Sequence, residues 1–320
     1  MVDLAHPAYF ASVHQSQTLS NEILAKYNLC VLNDRIAASM DSYPNDWIPV
    51  ELNQKTDQAE WDFLRVKHIY NELLSSSGTI DRARLLASST KTSSKWLQAV
   101  PSHHLGLLLD NDSARIAVAL RLGNSVCEQH TCVCGRIVEA NGHHALSCSL
   151  SKGKYSGHLI INRIFSSAFT SAGFPCKLEP PGLSRRDGKR PDGLTYYPWS
   201  HGKSLVWDVT VVDTVAPSYL KWSSVRSGLV ADNAERDKHN NYTDLKTQYI
   251  FTPLAFESFG SIGPETSIFL KKLGKLMSRN SGEPRSLDFL LQKVSIAIQR
   301  KNAVCVRDTF GVDDVCDFFM

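Results

Sequence analysis

Two clusters of side chains in this 320-residue chain have the types and spacing to do chemistry. The first is acidic. Residues 188 to 213 read GKRPDGLTYYPWSHGKSLVWDVTVVD, two apolar strand-like runs that each carry an aspartate, Asp192 and Asp208. In the second run Val206, Asp208, Thr210 and Val212 face one way, and Trp207, Val209 and Val211 the other. An apolar strand disfavours a carboxylate unless something compensates its charge. Two aspartates from adjacent strands on one sheet face make a hard oxygen site of the kind that takes Mg²⁺ or Mn²⁺. Such an ion polarises a phosphodiester and lowers the pKa of an attacking water. Asp213 ends its run on the opposite face and reads as a loop cap.

A cation is placed to join this pair. In LVADNAERDKHNNYTDL the residues Ala231, Ala234, Lys238, Tyr242 and Leu245 form one helical stripe, apolar except for Lys238. A helix laid over the face that carries Asp192 and Asp208 would aim the Lys238 ammonium at them, to position water or meet developing phosphate charge. Glu235, one turn earlier, is a flanking candidate. Glu179, in KLEPPGL, is a weaker candidate for a further acidic ligand. Arg185, Arg186, Lys189 and Arg190 cluster in the loop just before Asp192 as candidate phosphate contacts, and Lys271, Lys272, Lys275, Arg300 and Lys301 extend that set.

The second cluster is CEQHTCVCGRIVEANGHHALSC, with Cys127, His130, Cys132, Cys134, His143, His144 and Cys148 in 22 residues. A structural zinc wants four nitrogen or sulfur ligands in a tetrahedron. A tight Cys-x-Cys turn ending at Gly135 brings two thiolates together, and His144 and Cys148, four apart, share a helical face. The expected set is therefore Cys132, Cys134, His144 and Cys148, with Cys127, His130 or His143 as substitutes. Eight cysteines are too sparse for a disulfide framework, and the first residues have no basic stretch leading into an apolar core. The chain is expected in the nucleus or cytoplasm rather than secreted. No apolar run is long enough to span a membrane, and the net charge of +3 leaves the choice of partner to local charge.

The elements around these clusters follow from periodicity. Residues 1–125 read as mostly helical, through SNEILAKYNLCVLNDRIAASM, AEWDFLRVKHIYNELL, TIDRARLLASS and SARIAVALRLG, with Gly123 as a C-cap. His103 and His104 fall in a turn and read as surface histidines. Residues 126–150 form the knuckle. Residues 151–305 give an amphipathic helix, three strands (PCKLEP, PDGLTYY, KSLVWDVTVV), a helix interrupted near Gly228, a fourth strand (YIFTPLAFESFG) and two more helices. That order is an α/β domain. Residues 306–320 are an acidic tail.

Pro191-Asp192 followed by Asp208-Val209-Thr210 resembles the nuclease superfamily built on Pro-Asp and then Asp/Glu-x-Lys, with a helix, three-strand, helix, strand core. Here Thr210 stands at the lysine position. In some members that lysine comes from the following helix, where Lys238 stands. The series HTCVCG, GHHALSC, LEPPGL, DGKRPDG, VWDVT and AERDKHNNY is similar to the C-terminal region of non-LTR retrotransposon proteins with a restriction-like endonuclease, over roughly residues 80 to 305. In that family a Cys-Cys-His-Cys knuckle lies between the reverse transcriptase and the nuclease. The resemblance implies nicking of target DNA by metal-activated phosphodiester hydrolysis, which primes reverse transcription. It also implies the RNA of the parent element as a second partner. Residues 1–125 would then include a remnant of the segment after the reverse transcriptase. No Tyr/Phe-x-Asp-Asp polymerase turn occurs, so the expectation is a fragment, a degenerate copy or a stand-alone descendant. The alternative is a catalytically inactive nucleic-acid-binding remnant or domesticated element.

Overall fold

The computed structural model describes residues 57–310 apart from 184–187 and 189. The helix expected near residues 20–40, the loop cations Arg185, Arg186 and Lys189, and the end of the acidic tail lie outside these residues. Met1–Ser77 and Gly78–Met320 are separate compact units. The described part of the first is one helix, α1 (Asp57–Ser76).

The second unit is α/β. It begins with α2 (Thr79–Ser88) and α3 (Asn111–Leu122). α3 starts where the Asp110 carboxylate accepts the Ser113 N–H at 2.8 Å, and stops at Gly123, whose φ of 76° only glycine adopts readily. His103 and His104 are exposed in the turn between these helices. A two-residue hairpin, β1 (His130–Thr131) with β2 (Ile137–Val138), and the short α4 (His143–Ser147) form the knuckle.

The core follows in the expected order. It comprises α5 (Lys152–Ser171), β3 (Cys176–Leu178), β4 (Gly193–Ser200), β5 (Lys203–Val212), α6 (Leu220–Ser223), α7 (Leu229–Asn241), β6 (Ile250–Glu257), α8 (Pro264–Ser281) and α9 (Ser286–Arg307). The break between α6 and α7 falls at Gly228, where φ is 75°. The sheet order is β3-β4-β5-β6, with β3–β4 and β4–β5 antiparallel and β5–β6 parallel.

Alternation along β5 sorts the two layers. Leu205, Trp207 and Val209 point into a core built with Ile161, Phe165 and Phe169 of α5, and with α8 and α9. Val206 points the other way, into a smaller cluster with Tyr242 and Phe251. α7 is held near that second face, and Asp208 belongs to the same side. α3 packs on α9, with Ala117 against Ile296 and Ile116 against the cluster that holds Val306.

At the far end of β5 and β6 two acids are buried together. Asp213 accepts the Val215 N–H and the Ser258 hydroxyl, as a loop cap does, but leaves Oδ2 without a partner. Glu257 accepts the Ala231 N–H at the start of α7. Burial pushes Asp213 up to about 6, against the opposing pull of the Val215 N–H and of Lys301. Burial likewise pushes Glu257 up to about 7. Between about pH 4 and 7 the folded chain thus binds more protons at these sites than the unfolded chain, so stability falls as pH rises through that window. Glu257→Gln removes one of the two groups. Its melting temperature is expected to drop less than that of the wild type between pH 5 and pH 8. Parallel pH slopes in thermal melts of the two proteins would contradict the assignment.

Candidate metal centres

The knuckle ligands meet as the spacing predicts. The Cys132 N–H donates to Arg136 O and the Gly135 N–H to Cys132 O, closing a turn that Gly135 permits with a φ of 83°. This turn puts Cys132 and Cys134 on one side. α4 then carries His144 one helical turn before Cys148, whose N–H donates to His144 O. Cys132 Sγ lies 3.8 Å from Cys148 Sγ, and Cys134 Sγ lies 3.2 Å from His144 Nε2. All four ligand atoms fall within 4.8 Å of one another. A tetrahedral ion with metal–sulfur bonds of about 2.3 Å sets sulfurs about 3.8 Å apart, so the set fits zinc.

The substitutes have other roles. The Cys127 thiol faces the Glu139 and Ala140 carbonyls. His130 stacks on Phe310 with ring centroids 4.0 Å apart and meets Thr309 Oγ1 at 2.9 Å. His143 is absent from the cluster. Burial pushes the Cys132 thiol up to about 12, a cost that a bound cation would reverse. Burial also lowers His144, which keeps its imidazole neutral and fit to ligate.

The acidic pair expected from the sequence lies where β4 meets β5. Gly193 pairs with Trp207 and Leu194 with Val206, so Asp192, one residue before the strand, stands opposite Asp208. Both are buried. From α7, Lys238 Nζ donates to Asp208 Oδ1 at 2.5 Å, and the Tyr242 hydroxyl donates to Oδ2 at 2.5 Å. Asp192 Oδ2 accepts the Val209 N–H at 2.5 Å and lies 3.1 Å from His158 Nε2 on α5. Burial raises the pKa of Asp208; Lys238 pulls it down and the neighbouring Asp192 pushes it up again. Burial would lower His158, but its hydrogen bond to Asp192 and the charges of Asp192 and Asp208 outweigh that, and the net shift is upward. Asp208 thus has the Lys238 ammonium beside it, and Asp192 has the His158 ring.

His158 was not among the residues expected from sequence. It belongs to a polar column on α5, Lys154, His158 and Asn162, spaced four apart beside the apolar stripe. Asn162 accepts the Trp207 indole N–H at 3.3 Å, which ties that column to β5. The role of Tyr242 was likewise missed, because it read as an apolar member of its stripe.

Other candidates stand elsewhere. Glu235 turns away from Lys238 and accepts the Glu265 and Thr266 N–H groups at 3.0 and 2.8 Å, capping α8. Flanking the site was the wrong reading for it, because the first turn of α8 would otherwise leave buried donors unmet. Glu179, with a left-handed φ of 45°, sends its exposed carboxylate to Arg190 at 3.3 Å. Thr210 is half-buried one step beyond Asp208 and brings no charge there. Lys271, Lys272 and Lys275 are exposed on α8, with Lys272 over the Trp199 ring. Arg300 donates to Leu108 O. Lys301 is buried at 5 % exposure and does not extend their surface.

No protein-family model matches the chain, and no curated protein matches it. No described helix is long and apolar enough to cross a membrane.

Proposed function

We propose that this chain is a divalent-metal-dependent DNA endonuclease of the restriction-like kind carried by non-LTR retrotransposons, with a zinc knuckle ahead of its nuclease core. One observation carries the reading. Asp192 and Asp208 face each other across two paired strands, and the following helix delivers Lys238 to Asp208. That lysine supplies from α7 the cation that Thr210 does not supply from β5. The order of helix, three strands, helix and strand supports the same assignment.

The carboxylates also suit a hard cation. They are buried, they repel each other, and burial raises Asp208 in the absence of an ion. Asp192 and Asp208 would hold Mg²⁺ or Mn²⁺, which supplies Lewis-acid polarisation of a phosphodiester and a more acidic water. The chain's own residues do the rest. The Tyr242 hydroxyl fixes the rotamer of Asp208, while His158 and the Val209 N–H fix that of Asp192. Lys238 is partly exposed, free to move from Asp208 to a non-bridging phosphate oxygen as charge develops there. Arg190 and the lysines of α8 supply sequence-independent attraction to the DNA backbone.

A second reading, an inactive nucleic-acid-binding descendant, is favoured by Thr210. Nicking of supercoiled plasmid separates the two. Mg²⁺- or Mn²⁺-dependent nicking by the wild type, abolished by EDTA and in Asp208→Asn, supports the nuclease. Equal behaviour of the two proteins sinks it, and DNA binding without cleavage supports the second reading.

A further inference from the structure

Lys301 is the least expected residue in the molecule. A buried lysine normally has an ionic partner. The Lys301 side chain is 5 % exposed, and among the described residues its ammonium makes no ion pair; Cys305 and Asp213 act on it only at longer range, and the ammonium keeps some contact with solvent. Its route inward is built. Gly153 and Gly157 lie one turn apart on α5, where it crosses α9. A Cβ on Gly157 would stand 2.6 Å from Lys301 Cβ and Cγ, and one on Gly153 would stand 2.8 Å from the Cys305 N. The two glycines let the helices close up and leave the lysine stem a channel between them.

The channel opens into a cleft of about 640 Å³. One wall is the stretch of β5 from Val209 to Val212, which runs past the last β4 pair as a sheet edge. Lys154, His158 and Lys238 line the same cleft, and His158 and Lys238 also contact Asp192 and Asp208, so the cleft lies beside the paired aspartates. Four nitrogen groups that carry or can carry positive charge thus surround one opening, and Asp213 is the single acid in its lining. Lys154 also donates to Ser147 O in α4, which brings the knuckle to the rim. The volume is in the range of sites that take one small ligand, such as a nucleotide.

We propose that this cleft is the seat of the phosphate next to the scissile one in the cut DNA strand, with Lys301 and Lys154 as its anion contacts. The assignment of a scissile phosphate rests on the nuclease reading; the anion site itself rests on Lys301, whose ammonium meets the cleft with no ion-pair partner, and on the cations that line the cleft with it. Occupation by a phosphate gives Lys301 the partner that the fold withholds.

The test uses the full zinc-loaded chain and a short DNA duplex, with Ca²⁺ in place of Mg²⁺, followed by anisotropy over a series of KCl concentrations. Lys301→Met and Lys154→Met are each expected to weaken binding about tenfold and to flatten the salt dependence by about 0.9 in log–log slope, the loss of one phosphate contact. If Lys301→Met and Lys154→Met both bind with the wild-type slope, the cleft is not a phosphate site, whatever the protein does to plasmid. If the slopes change but no protein cleaves in Mg²⁺, the anion site stands and the nuclease reading falls. Melting curves accompany each variant. Should Lys301→Met melt well below the wild type, Lys154→Met alone decides, and its unchanged slope overturns the proposal.

Discussion

Replacing Cys148 with serine, or stripping the metal with a chelator, is expected to lower the melting temperature by about 10 °C. The knuckle has little else to hold it. Its strands are two residues long and its helix five. Structural zinc contributes roughly 10–16 kcal/mol of binding free energy in isolated zinc-finger peptides, as much as a whole domain's stability. Only part of that would be lost here, because neighbouring contacts support the knuckle. The loss would not stay local either. Ala145 and Leu146 of α4 sit in a buried cluster with Val215, Phe259, Cys305 and Val306. A loosened α4 therefore uncovers the end of α9. A loss of about 3–4 kcal/mol at 2–4 °C per kcal/mol gives the stated drop for a unit of this size. Calorimetry with and without chelator, alongside zinc analysis of the purified chain, measures it. A metal-free protein with an unchanged melting temperature would remove zinc from the account.

Asp208→Asn is expected to lower plasmid nicking by about 10³-fold or more, since a metal contributes several kcal/mol to phosphoryl transition states and each 1.36 kcal/mol is tenfold. The same substitution should move the melting temperature by only a few degrees. Asp208 is costly to bury, and Asn keeps an acceptor for the Tyr242 hydroxyl. Lys238, released from its ion pair, is exposed enough to reach solvent. Activity and stability should thus separate at this position. At Glu235, where the carboxylate caps α8, substitution should cost stability instead. Rates from nicking time courses and melts of the same preparations give both quantities.

Much of this was readable in the sequence because the relevant signals are local. The apolar run of β5 spans residues 203 to 212, and its alternation placed Asp208 on the face that α7 covers. The Cys-x-Cys turn and the His-x3-Cys spacing named four ligands that converge in space, because both are one-turn devices. The helical stripe through Lys238 gave its direction. What stayed hidden depends on how elements cross. His158 sits on an ordinary amphipathic helix, and only the approach of α5 to the β4–β5 junction makes it a partner of Asp192. Glu235 lies within one turn of Lys238, but the bare start of α8 claims its carboxylate. Lys301 looked like one more basic residue on a polar helix face. The two glycines that admit it to the interior lie far away in the chain, on α5.

The central claim is that Asp192 and Asp208 together hold one divalent ion. Mn²⁺ binding followed by electron paramagnetic resonance on the zinc-loaded chain tests it without relying on activity. The account predicts one Mn²⁺ per chain for the wild type, displaced by excess Mg²⁺, and loss of that ion in both Asp192→Asn and Asp208→Asn. Wild-type Mn²⁺ binding in either variant, or none in the wild type, would contradict it.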